Sequence, residues 1–186
     1  MRTVDTKVIT EAVAKLCIDA NYYLSQDIYD ALVTGKEKEE SPLGKEILGQ
    51  LVDNACIAKN EDMPICQDTG MAVIFMEIGQ DVHVIGGDLE AAVNAGVVKG
   101  YKEGYLRKSV VDDPLFVRKN TNDNTPAILH VSIVPGDKIK IKMAPKGFGS
   151  ENMSAIKMFP PSAGVAGVKK FVVDTVAAAG SNPCPP

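Results

Sequence analysis

Between Thr6 and about Leu24, apolar residues fall at Val8, Ile9, Ala12, Val13, Leu16, Cys17 and Ala20, a helical recurrence that puts Cys17 on a core face. Ser25 can cap a second, short helix that Gly35 is expected to end, leaving Lys36 to Glu40 as a charged link. Ser41-Pro42 has the cap-then-proline signature of a third helix, on which Leu48, Leu51, Val52, Ala55 and Cys56 form one stripe; Cys56 is therefore also expected in the core. The pattern then changes period. Met71 to Ile78 and Val82 to Ile85 read as strands, and Asp88 can cap a long helix reaching about Leu106. Gly96, Gly100 and Gly104 recur on that helix every four residues, each costing about 1 kcal/mol relative to Ala, so the glycine face predicts close approach of another element.

Ala127 to Val134 and Lys138 to Met143 read as two more strands, and the Pro135-Gly136-Asp137 between them suits a hairpin. Asp112-Asp113-Pro114 and Asn120 to Thr125 read as loops. A glycine-rich loop, Lys146 to Asn152, precedes an apolar helix from about Ser162 to Ala179 that Gly180 stops. The fold class implied is mixed α/β, in the α+β sense: helices packed around short mixed or antiparallel sheets. With no repeat and no strong linker, residues 1–186 read as a single domain.

Composition adds mainly exclusions. At 45% hydrophobic and 24% charged residues the chain can bury one sizeable core, and a net charge of -4 without a basic stripe argues against nucleic acid as a partner. The absence of a run of roughly 20 apolar residues argues against a membrane span, and Met1 to Asp5 lacks the apolar core of a secretory signal, so a cytoplasmic location is the default expectation. Four scattered cysteines do not make a disulfide framework.

Candidate chemistry concentrates at Cys66-Gln67-Asp68-Thr69-Gly70, a thiol, an amide, a carboxylate and a hydroxyl in succession on a loop entering a strand. Composition alone reads this equally as a solvated turn in which Asp68 bonds its own backbone. Cys184 is held between Pro183 and Pro185 on a stiff, non-helical segment, which favours metal over core. Arg107, taken alone, reads first as a cation complementing a helix C-terminus. The Lys146 to Asn152 loop can offer backbone N–H groups to an anion but matches no nucleotide-binding pattern. His83 and His130, in strand-like segments, read as structural rather than as zinc ligands alongside Cys66 and Cys184, because no pair has finger-like spacing.

Pro64-x-Cys66-Gln67-Asp68-Thr69-Gly70, Tyr105-Leu106-Arg107-Lys108-Ser109, Lys146-Gly147-Phe148-Gly149-Ser150-Glu151-Asn152 and Asn182-Pro183-Cys184-Pro185-Pro186 together resemble the class I iron–sulfur fumarate hydratases and related tartrate dehydratases. The resemblance runs in order over nearly the whole chain and is to their alpha-type part. It implies a hydro-lyase component holding a [4Fe-4S] cluster, with Cys66 and Cys184 as two of three cysteine ligands. It further implies Asp68 as general acid, and Gln67, Asp68, Arg107 and Gly149 as substrate-binding residues for a small dicarboxylate, fumarate first and tartrate second. In that family a third cysteine, a histidine, a threonine base and further cationic residues would lie beyond Cys184, or in a C-terminal domain or beta-type partner subunit. The chain is thus expected to be truncated relative to the family or to have lost part of the site, to work within a homo- or hetero-oligomer, and to be inactive alone. A non-catalytic assembly domain is the rival expectation.

Overall fold

The computed structural model describes residues 1–183, apart from the Ser150 side chain. It divides into two compact units, Met1–Lys146 and Gly147–Pro186. In the first, strand β1 (Arg2–Asp5) leads into helix α1 (Thr6–Tyr22), followed by α2 (Gln26–Lys38) and α3 (Pro42–Asn60). Strands β2 (Met71–Gly79) and β3 (Val82–Ile85), helix α4 (Leu89–Glu103), and strands β4 (Ile128–Val134) and β5 (Ile139–Lys146) complete it.

The caps behave largely as their residue types require. Asp5, Ser41 and Asp88 each accept an N–H of the first turn of α1, α3 and α4 through the side chain. Ser25 occupies the N-cap of α2 without such a bond. Gly35 does not end α2, which continues to Lys38 and absorbs Lys36, Glu37 and Lys38 of the expected charged link; glycine stops a helix only where the backbone turns left-handed, and α2 instead packs on through that turn against α3.

The core lies between the α1–α4 pair and one face of a three-stranded sheet. Ile9, Val13 and Cys17 from α1, and Val93, Val97 and Tyr101 from α4, meet Ala72, Ile74, Met76 and Ile78, the alternate residues of β2 that share one face. The glycines of α4 make this possible. A Cβ built on Gly96 would lie 2.7 Å from both the Thr10 carbonyl oxygen and Val13 Cβ, and one on Gly100 would lie 2.7 Å from the Ala14 carbonyl oxygen and 2.8 Å from Cys17 Cβ. The element that the glycine face anticipates is therefore α1.

The sheet departs from the expected hairpin. Its order is β4-β2-β5, with β2 parallel to β4 and antiparallel to β5, and β1 pairs with β3 in a separate parallel ribbon. The Pro135-Gly136-Asp137 connection crosses the end of β2: Gly79 N–H donates to the Lys138 carbonyl (2.8 Å) and Asp81 N–H to the Gly136 carbonyl (2.9 Å). Gly79 permits the crossing, since a Cβ there would lie 2.3 Å from the Gly136 oxygen. Direct β4–β5 pairing would leave the apolar β2 at an edge with one ladder of backbone groups unpaired; insertion between them satisfies both. On the opposite sheet face the half-exposed Phe75 stacks on His130 at 4.9 Å.

In the second unit two short 3-10 turns, Ser150–Met153 and Pro161–Ala163, precede α5 (Gly164–Ala179), and Gly180 ends it with a φ of 56°. No helix among the described residues is long and apolar enough to cross a membrane.

Candidate functional site

The Cys66 loop is held from both ends. Before it, Ile65 N–H donates to the Asn21 carbonyl at the end of α1 (2.9 Å), and the Asn54 amide of α3 donates to the Ile65 carbonyl (2.9 Å). After it, the Tyr101 hydroxyl of α4 donates to the Thr69 carbonyl (2.7 Å) and lies 3.2 Å from that of Gly70. Tyr101 is wholly buried, and burial pushes its hydroxyl well above the usual tyrosine range, so it remains a donor. Between these anchors Cys66 and Gln67 are exposed and Asp68 is half-buried. Asp68 N–H points at the Cys66 sulfur (3.4 Å), the thiol donates to Gln67 Oε1 (3.4 Å), and Asp68 Oδ1 accepts the Gly70 N–H (3.1 Å). The local Asp68–backbone bond of the solvated-turn reading is thus present, but within a loop fixed by tertiary contacts.

Arg107 reaches this loop because α4 ends earlier than the pattern suggests. Gly104 caps the helix, Tyr105 turns left-handed with a φ of 49°, and Leu106 N–H returns to the Tyr101 carbonyl (3.0 Å), which is the Schellman arrangement. Arg107 consequently lies past the helix rather than in its last turn, where Lys102 is the basic residue; the helix-dipole reading of Arg107 does not describe it. The buried Thr69 hydroxyl donates to the Arg107 carbonyl (2.9 Å) and ties the two segments together.

A residue that sequence reasoning left in a polar loop completes the connection. Asn124 is wholly buried, with Oδ1 accepting from Ser109 N–H (2.8 Å) and Val110 N–H (3.2 Å) and Nδ2 donating to the Gly70 carbonyl (2.9 Å). Its φ of 67° suits asparagine, and its place in the Asn/Asp/Thr-rich stretch Asn120 to Thr125 is the signal in the sequence. Cys66, Gln67, Asp68 and Arg107 are thus carried on adjoining segments of the first unit. Gly149 belongs to the second unit and is half-buried at the start of the Ser150–Met153 turn, with φ -82° and ψ -42°, a conformation open to any residue. Cys184 lies outside the described residues.

A sequence profile described as fumarate hydratase (Fumerase) matches residues 10–186. The chain belongs to that family. Among its relatives, a Methanocaldococcus jannaschii protein provisionally named the alpha subunit of L(+)-tartrate dehydratase is 39% identical over 184 residues, covering 96% of this chain and 64% of the relative. The L(+)-tartrate dehydratase alpha subunit of Escherichia coli K12 is 29% identical over 180 residues, covering 96% of this chain and 59% of the relative. The chain therefore spans less than two thirds of the length of either.

The described cysteines divide by environment in a way that fits a thiolate-ligated cluster at one of them. Cys17 is fully buried, and burial pushes its thiol from 9.0 up to about 12, which keeps it neutral. Cys56 is not core as expected but half-buried, 3.5 Å from the Tyr29 hydroxyl, because α3 turns part of its stripe toward a cleft beside α2 instead of the sheet. Cys66 is exposed on non-helical backbone with an N–H directed at its sulfur, the kind of hydrogen bond that stabilises a ligating thiolate. Among the described residues no three His, Cys, Asp or Glu side chains converge as a metal-binding group.

Proposed function

We propose that this chain is the alpha-type component of an iron–sulfur hydro-lyase that adds water reversibly across fumarate to give malate. The observation that carries the proposal is the joining of the Cys66-Gln67-Asp68 loop to the Arg107 segment through Thr69 and Asn124, which ties together the backbone segments that bear a thiol, an acid and a guanidinium. Cys66 and Cys184 are the cluster ligands proposed in this chain. When bound, a [4Fe-4S] cluster supplies an open iron as Lewis acid for the substrate hydroxyl.

The protein's own groups account for the rest of what this chain contributes. The guanidinium of Arg107 pairs with a substrate carboxylate and stabilises the added negative charge that forms when the adjacent carbon loses its proton. Gln67, with both an acceptor and donors, orients the second polar end of the substrate; Gly149 is proposed as substrate-binding on the family likeness alone. The carboxyl of Asp68 gives its proton to the departing hydroxyl in dehydration and takes one from water in hydration. The carbon-bound proton goes to a base on the remainder of the enzyme, a beta-type subunit or a further domain.

A second reading, dehydration of L-tartrate, is favoured by the names of the relatives, both alpha subunits of tartrate dehydratase. The test is anaerobic reconstitution with iron and sulfide, followed by turnover of fumarate, malate and L-tartrate by the chain alone and after recombination with the remainder of the enzyme. Turnover on recombination only is expected, with Asp68→Asn lowering the rate by about 10²- to 10⁴-fold while the cluster is retained. Near-wild-type turnover by Asp68→Asn would remove it from the acid role. Failure to take up iron and sulfide would favour the assembly-domain alternative.

A further inference from the structure

We infer that Asn124 is a positioning residue, whose buried amide sets the spacing between the acid Asp68 and the carboxylate clamp Arg107; this rests on the proposed hydro-lyase site. Its hydrogen bonds go to backbone groups of the two segments. Its amide reaches each segment two or three residues past the functional side chain, Gly70 following Asp68, and Ser109 and Val110 following Arg107. Its orientation is forced, because a flipped amide would set Oδ1 against the Gly70 carbonyl and Nδ2 against two N–H groups. A wholly buried side chain using one donor and one doubly accepting oxygen acts as a rigid spacer.

The bond from the Thr69 hydroxyl to the Arg107 carbonyl is the second crosspiece. Tyr101 holds Thr69 and Gly70 from α4, which leaves residues 109 and 110 free to pivot about the Thr69–Arg107 bond once the Asn124 link is gone. Together the two links close a frame, with the exposed guanidinium segment on one side and the half-buried carboxyl of Asp68 on the other. A dicarboxylate held by Arg107 presents its hydroxyl-bearing carbon at a distance fixed by its own bonds, so pivoting displaces the acid from the atom it must protonate. Misplacement by about 1 Å can cost on the order of 10²-fold in rate.

Two variants separate positioning from simple stability. Asn124→Gly keeps the left-handed backbone and removes both halves of the bridge. Asn124→Asp keeps an acceptor for Ser109 and Val110 but sets an oxygen against the Gly70 carbonyl, breaking only the link between segments. In the 186-residue chain, amide exchange should accelerate together at residues 68–71 and 107–110 in both variants while α1 and α4 stay protected. In the recombined, cluster-loaded enzyme both should lose about 10- to 100-fold in kcat with KM changed less than about threefold and iron content unaltered. A kcat within about twofold of wild type in either folded variant would overturn the inference, as would loss of iron with unchanged kcat per bound cluster. If Asp68→Asn and Arg107→Lys leave turnover intact, the site reading falls and this inference with it. If they abolish turnover and the Asn124 variants do not, this inference alone falls.

Discussion

Replacing Gly100 by Ala tests the packing that supports the site, because Gly100 precedes Tyr101, the residue that holds Thr69 and Gly70. The added Cβ would lie 2.7 Å from the Ala14 carbonyl oxygen, 2.8 Å from Cys17 Cβ and 3.1 Å from Ala14 Cα, well inside ordinary contact at 3.4 Å. Two of these atoms are backbone of α1, so relief requires the helices to separate rather than a side chain to turn. Overpacking of this kind costs about 1–3 kcal/mol. Alanine's better helix propensity returns about 1 kcal/mol. With backbone on the far side the upper part of the range applies, and a net loss of about 1–2 kcal/mol is expected. Gly35 in α2 is the internal control: a Cβ there meets only Leu48 Cδ1, at 3.8 Å, so Gly35→Ala should gain up to about 1 kcal/mol. Urea midpoints followed by far-UV circular dichroism, with the slope checked for constancy, measure both. A Gly100→Ala variant as stable as wild type, or a Gly35→Ala variant less stable, would refute the assignment of α4's glycines to close approach.

Arg107→Lys keeps the charge and loses the fork, so kcat/KM should drop by about tenfold or more in the recombined enzyme; an unchanged value would return Arg107 to a surface role. Cys66→Ser should reduce or alter cluster absorbance after anaerobic reconstitution, whereas Cys56→Ser should not, and the reverse outcome in folded protein would reverse the ligand assignment. Folding raises the Cys17 thiol from 9.0 to about 12, so its stabilising effect is complete below about pH 9 and is lost as pH rises toward 12. Unfolding free energies measured between pH 8 and 11 should therefore fall, above about pH 9, by at most about 1.4 kcal/mol per pH unit from this group, and Cys17→Ala should flatten that part of the profile; the raised Tyr101 hydroxyl adds loss of the same sign.

Much of the local architecture is legible in the chain because local rules have local causes. Cap chemistry at Ser41 and Asp88, the apolar period of α1 and the alternation of β5 each reflect interactions among residues a few positions apart. The four motifs that carry the family likeness are equally visible, as is the glycine face of α4. A period, however, reports which face is buried and not what buries it. Nothing local to Gly96 and Gly100 points to α1, and the short Pro135-Gly136-Asp137 connection reads as a hairpin until β2, some fifty residues earlier, is seen lying between β4 and β5. The site divides the same way. Cys66 and Asp68 stand out in the sequence and Arg107 enters through the family motif, but the joining of their segments depends on Tyr101, Thr69 and Asn124, whose bonds span 14 to 54 positions. Such bonds form only when the collapsed core has excluded water from those groups, which must then find partners across the chain.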